Sequence, residues 1–194
     1  MPAKTKVTKQ MVIDAAFEIA REFGAENINA RAVAKKLQCS TQPIMYHFAT
    51  IEELKKAVFE KTDKYHSDFL MQGQPSKEDT FLEIGWNYIR FAIEEPQLFR
   101  FLFQSNYFSG ATIVELLDVE EFLPVLSVMQ NKIGGSINYV KKVFFNVYLF
   151  THGYASFIAN NAVVCDEKKI KSQLEFAFRG AMLAEKENAE LEKK

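Results

Sequence analysis

Gln42 carries a carboxamide that can donate to and accept from the major-groove edge of adenine, and Thr41 and Pro43 on either side offer apolar contact to a thymine methyl. Tyr46 and His47, one helical turn further on, add O–H and N–H donors suited to phosphate oxygens. Upstream, Asn29 and Arg31 fall where a helix begins, so that dipole, backbone amides and side chains can act together on a phosphate. Ser40, Thr50 and Lys55 flank the group, and Lys4, Lys6 and Lys9 can track a backbone from the N-terminal arm. Together these residues describe a face that reads duplex DNA. Any small helical bundle also carries short helices and stray lysines, so the pattern alone leaves that simpler reading open.

Positioning such a face requires three short helices in the first fifty residues. Val12, Ala15, Ala16, Ile19, Ala20 and Phe23 recur at helical spacing, with Asp14, Glu18, Arg21 and Glu22 opposite, and Gly24 ends the run. Asn29 is the expected N-cap of a second helix that buries Val33, Ala34 and Leu37. After a turn at Gln38-Cys39, Ser40 is expected to cap a third helix, Pro43 being tolerated in its first turn. Ile44, Met45 and Phe48 would face the first two helices. Thr50-Ile51-Glu52-Glu53 fits a capping box that opens a fourth helix over about residues 51–72, with Leu54, Val58, Tyr65 and Phe69 on one side. A short second helix joined to a third by a tight turn is the architecture of a helix-turn-helix reader.

The segment from Thr8 to Leu54 resembles the N-terminal domain of the TetR family of transcriptional regulators. The resemblance rests on Ile13-Asp14-Ala15-Ala16, Ala20-Arg21-Glu22-Phe23-Gly24, Val33-Ala34 before Leu37, Cys39-Ser40-Thr41, Tyr46-His47-Phe48 and Glu52-Glu53-Leu54. It implies a homodimer that binds a palindromic operator in double-stranded DNA and releases it when a small-molecule effector enters the C-terminal domain. Four positions depart from the family pattern, the first being Asn29, an equivalent cap where Thr usually opens the second helix. Gln38 stands where Gly is usual and would need a positive φ or an altered turn. Met45 and Ile51 stand where members commonly carry a Tyr and a Lys that serve phosphate contacts.

Beyond the reading head, helices are expected near 78–94, 97–106, 112–130, 136–162 and 167–187, separated by Pro96, Ser109-Gly110 and Gly134-Gly135, with a charged tail over 188–194. Residues 65–194 hold 14 Phe, six Tyr and Trp86, more than a small core requires. Trp86, Phe99, Phe103, Tyr107, Tyr148 and His152 are the candidate lining of an effector pocket between helices; a dense aromatic core is the competing reading of the same residues. Thr151-His152-Gly153 resembles a Trp, His and Gly signature found near this point in one group of TetR-like C-terminal domains, with Thr in place of Trp. Ile170, Leu174, Ala177, Phe178 and Ala181 form a stripe that can pack on a symmetry mate or within the chain.

Several function classes are excluded by what the 194 residues lack. His47, His66 and His152 have no metal-ligand spacing, Asp63 and His66 read as a surface contact, and no glycine-rich phosphate loop follows a strand, so no catalytic residue, metal or cofactor is expected. Cys39 and Cys165 stand far apart, which fits a reducing compartment. The most apolar stretch, Val143 to Val164, is interrupted by Asn146, Thr151, His152, Ser156, Asn160 and Asn161, and no secretory signal is evident; a cytoplasmic protein without a membrane partner is expected. Net charge is −1, yet residues 1–50 carry +3.

The sequence therefore leads to an all-α protein. Residues 1–54 would form the helix-turn-helix domain, and residues 55–187 an effector-binding and dimerisation bundle. The expected function is that of a non-enzymatic repressor released by a small apolar or aromatic effector. A helical small-molecule-binding or interaction protein with a weakened reading head is the alternative, motivated by Met45, Ile51 and the low positive charge.

Overall fold

The computed structural model describes residues 7–72, 80–105, 123–161 and 163–191, and among them every regular element is helical. The helices are α1 (Lys9–Phe23), α2 (Ala30–Lys36), α3 (Gln42–His47), α4 (Ile51–Leu70), α5 (Thr80–Glu94), α6 (Pro96–Phe103), α7 (Leu123–Ile133), α8 (Ile137–Asn160) and α9 (Glu167–Leu191), with one 3-10 turn at Ala25–Asn27. The expected helix over 112–130 lies in part outside the described residues, as do Gly73, Ser109-Gly110, Lys4 and Lys6. The charged end does not fray at Glu185: α9 continues to Leu191, helped by good helix formers such as Ala, Leu, Glu and Lys.

Two compact units form, one of residues 1–68 and 95–107, the other of 69–94 and 108–194. The cut differs from the functional division expected at 54/55, because α4 as far as Asp68 and all of α6 pack with the reading helices. Phe17 meets Tyr65 edge-on at 5.5 Å and Phe59 meets Phe101 edge-on at 5.5 Å, which ties α1 to α4 and α4 to α6.

In the first unit, α1 buries Val12, Ala15, Ala16, Ile19 and Ala20 as its periodicity requires, but it buries Phe17 as well and leaves Phe23 exposed. It is buried on a second side because α4 and α6 pack there. Thr8 caps its start by accepting from the Met11 amide, and Gly24, at φ +96°, ends it. His66, read from the sequence as a surface residue, is buried on the inner side of α4, edge-on to Phe103 at 5.2 Å.

In the second unit α5, α7 and α9 pack around α8. Their core joins Phe81, Leu126, Met129, Val140, Val143, Phe144, Val147, Leu174 and Phe178. The stripe of α9 is therefore intrachain: Ile170, Leu174, Phe178 and Ala181 are buried within the protomer. Other faces of the last two helices remain uncovered, with Phe150 and Phe157 on α8 and Phe176 and Leu183 on α9. No helix among the described residues is long and apolar enough to cross a membrane.

Candidate functional site

The turn between α2 and α3 is built by local chemistry. Asn29 Oδ1 accepts from the Ala32 amide at 2.9 Å and so caps α2. Gln38 adopts φ +52°, the left-handed conformation for which glycine is the usual residue, and the Cys39 amide returns to the Ala34 carbonyl at 3.0 Å. Ser40 does not cap α3. Thr41 already has helical angles and its carbonyl accepts the first intrahelical bond, from Met45, so the helix begins one residue later than the sequence suggests. Pro43 lies in the first turn, as expected.

With only six residues, α3 can bury one face. Ile44 and Phe48, four apart, share that face and are sealed in the core. Met45 lies about 100° around the helix from Ile44, and at 44 % exposure it faces outward, contrary to the expectation that it would pack inward. It joins Thr41, Gln42 and Tyr46 on the exposed surface, Tyr46 being 82 % exposed. Pro43 is half-buried. His47 is also half-buried, and its Nε2 lies 2.9 Å from the Val7 carbonyl, so this histidine fastens the arm before α1. Lys9 Nζ stands 5.1 Å over the Phe48 ring on the same side.

Asn29, Arg31, Ser40 and Thr50 are all exposed. The Thr50 half of the capping box forms, with the Glu53 amide donating to Thr50 Oγ1 at 3.2 Å, while the Glu53 carboxylate reaches one residue further back and accepts from the Ala49 amide at 3.0 Å. Lys55 is turned away from this group. It pairs with Glu52 at 3.0 Å and borders an open cleft of about 640 Å³ in the first unit, whose rim also carries Glu26, Gln97 and Arg100.

The candidate effector residues do not share one unit. Phe99 and Phe103 belong to the first, their rings 4.9 Å apart, and Phe99 is fully buried. Trp86, Tyr148 and His152 belong to the second, and Tyr107 lies outside the described residues. Tyr148 and His152, one turn apart on α8, stack with centroids 5.8 Å apart. A residue outside the candidate set completes the group: Tyr88 of α5 places its hydroxyl 2.8 Å from His152 Nδ1 and hydrogen-bonds Tyr148. Its place on the Trp86-Tyr88-Phe91 run was the one signal for it in the sequence. Burial pushes the His152 imidazole below its ordinary range and the Tyr88 and Tyr148 phenols above theirs, favouring the uncharged form of each. Trp86 is buried, with Lys171 Nζ 5.5 Å over its ring and ion-paired to Glu83 and Glu167.

No family model matches the sequence, and no curated protein matches it. Among solved structures the chain is similar to a TetR-family transcriptional regulator from Streptomyces coelicolor, with a TM-score of 0.67, 14% identity, and coverage of 91% of this chain and 80% of that one. The fold is the TetR fold. In that fold α2 and α3 are the helix-turn-helix foreseen from the sequence, and Gln38 makes its turn with a positive φ where glycine is usual.

Proposed function

We propose that this protein is a DNA-binding transcriptional regulator, acting as a homodimeric repressor on a palindromic operator. One observation carries the reading: α3 is locked to the head by Ile44 and Phe48 while Thr41, Gln42, Met45 and Tyr46 stand outward together. Gln42 reads adenine, Thr41 and Met45 supply apolar contact to thymine methyls, and Tyr46, Arg31 and Asn29 hold phosphates. Lys55, held by Glu52, contributes less than its charge suggests, and His47 positions the arm.

The second copy docks on the uncovered faces of α8 and α9. Phe176 is 80 % exposed, Leu183 62 % and Phe157 61 %, and Gly153 and Gly180 lie mid-helix with, among the described residues, nothing beyond their own helix turn within 4 Å of a Cβ position. An exposed mid-helix glycine costs about 0.5–1 kcal/mol relative to alanine, a loss that the close approach of a partner helix can offset. The uncharged Tyr88, Tyr148 and His152 cluster suits an uncharged aromatic or apolar effector bearing a hydroxyl or carbonyl. Such an effector would favour a dimer whose heads no longer match half-sites about one helical turn apart.

Fluorescence anisotropy against the DNA flanking the coding region, with scrambled DNA as control and a salt series, tests the reading. Tight, sequence-selective binding that falls linearly on a log–log salt plot supports it. Weak and equal binding to both duplexes, and to duplexes selected from a random pool, favours the alternative of a helical ligand-binding protein, which the outward Met45 and the paired Lys55 motivate.

A further inference from the structure

Glu95 is the single residue between α5 and α6, and its side chain is almost fully buried. Both of its carboxylate oxygens are engaged. Oε2 accepts from Arg21 Nε at 2.9 Å, and Oε1 accepts from Arg21 Nη2 and from the Tyr65 hydroxyl, the latter at 3.0 Å. Its carbonyl accepts the Phe99 amide at 2.9 Å and so opens α6. One residue thus joins the last turn of α1, the middle of α4 and the first turn of α6. Arg21 also stands 5.8 Å over the Tyr65 ring, and the carboxylate holds the guanidinium protonated even more firmly than usual.

The chemistry of this junction differs from that of its surroundings. The neighbouring contacts between the same helices are two aromatic ones, Phe17 with Tyr65 and Phe59 with Phe101, which tolerate small slides, and the single-pronged Lys61–Asp14 ion pair between α1 and α4. A two-pronged guanidinium–carboxylate pair fixes both distance and angle. The Arg21 side chain is 44 % exposed, and an ion pair with one partner in solvent adds little stability, so angular definition is the property it contributes.

We propose that Glu95 is a positioning residue of the DNA-reading head: through Arg21 and Tyr65 it makes α6 part of the same rigid body as α1 and α4. This rests on the regulator reading above for its consequence, though not for the existence of the lock.

Hydrogen exchange on the full-length protein tests the lock, comparing wild type with Glu95→Gln, Arg21→Lys and the milder Tyr65→Phe. Asp14→Asn, which breaks only the Lys61 link between α1 and α4, serves as the control. The lock predicts exchange about tenfold faster or more in the last turn of α1 and the first turn of α6 together for Glu95→Gln, with α6 unaffected in Asp14→Asn. Loosening of α6 alone, with α1 as protected as in wild type, overturns it. Its consequence is read on a duplex selected from a random pool by the wild type. Glu95→Gln should bind about fivefold or more weakly, because fewer molecules hold the competent arrangement, with an unchanged salt slope because no phosphate contact is lost. Unchanged affinity in a variant that is folded at the assay temperature overturns the positioning role. If the wild type enriches no duplex, the regulator reading falls, and hydrogen exchange alone decides the lock.

Discussion

Tyr88 Oη and His152 Nδ1 stand 2.8 Å apart and join α5 to α8 within a largely apolar bundle. Tyr148 lies flat against the same imidazole. Removing the Tyr88 hydroxyl takes one hydrogen bond from the half-buried imidazole, so Tyr88→Phe should lower the unfolding free energy by about 0.5–1.5 kcal/mol. Urea unfolding followed by far-UV circular dichroism measures this, and an unshifted midpoint would mean that His152 finds its partner elsewhere.

His66 should make the protein acid-sensitive. Burial lowers its pKa from 6.5 to about 4. The unfolded chain therefore binds more protons between those values, so stability is full above about pH 6.5 and falls as pH drops toward 4. A shift of that size corresponds to about 3 kcal/mol in all. His152 acts in the same direction, whereas Asp63, raised by burial, opposes them, and Asp14, lowered mainly by its bond to Lys61, acts only below about pH 4. His66→Leu should flatten the slope between pH 6.5 and 4.5, whatever it does to stability at pH 7. An equal slope in both proteins places the sensitivity in other groups.

Gln38 holds φ +52° without the freedom of glycine. Left-handed backbone costs an L-residue roughly 1–2 kcal/mol, and part of the relief is lost to glycine's larger unfolded-state entropy. Gln38→Gly should therefore stabilise the protein by about 0.5–1 kcal/mol, and Gln38→Val should destabilise it. Chemical denaturation of the pair shows the order; a reversed order would mean that the Gln38 side chain itself supports the turn.

Features that depend on local chemistry are legible in the sequence. Asn29, Gly24 and the Thr50–Glu53 box are caps fixed by a few neighbouring residues, and the positive φ of Gln38 follows from its place in the turn. Features that depend on which helix packs on which are not. Arg21 and His66 look like solvent-facing residues until α6 is laid against α1 and α4, and Phe99 and Phe103 go with α6 into a unit separate from Trp86 and His152. Met45 is misread because a helix of under two turns has room for one buried row, and its apolar character pointed inward while its register pointed out.

Gly180 distinguishes a monomer from a dimer. Among the described residues nothing beyond its own helix turn lies within 4 Å of where a Cβ would stand, so in a monomer Gly180→Ala should raise stability by about 0.5–1 kcal/mol. Against a close partner helix the same methyl should weaken association. If the proposed dimer forms on these faces, Phe157→Glu with Phe176→Glu should convert it to a monomer in sedimentation velocity. A species of unchanged mass would move the interface off these faces.

Gln42 and Arg31 separate sequence reading from backbone attachment. Gln42 stands exposed in the first turn of α3 beside Thr41, where its amide can reach a base edge, whereas Arg31 stands exposed in the first turn of α2, where the helix N-terminus favours a phosphate partner. Gln42→Ala should cost about 1–3 kcal/mol of discrimination at one base pair per half-site and leave the salt slope as it was. Arg31→Ala should weaken binding to every duplex alike and reduce the slope by about one for each head engaged. Anisotropy titrations on the preferred duplex and on single-base variants, at several salt concentrations, resolve the two effects. If Gln42→Ala keeps the wild-type preference at every position, α3 does not lie in the major groove with this face. Met45 and Tyr46 would then be the next residues to change, since they are the remaining large side chains that the helix turns outward.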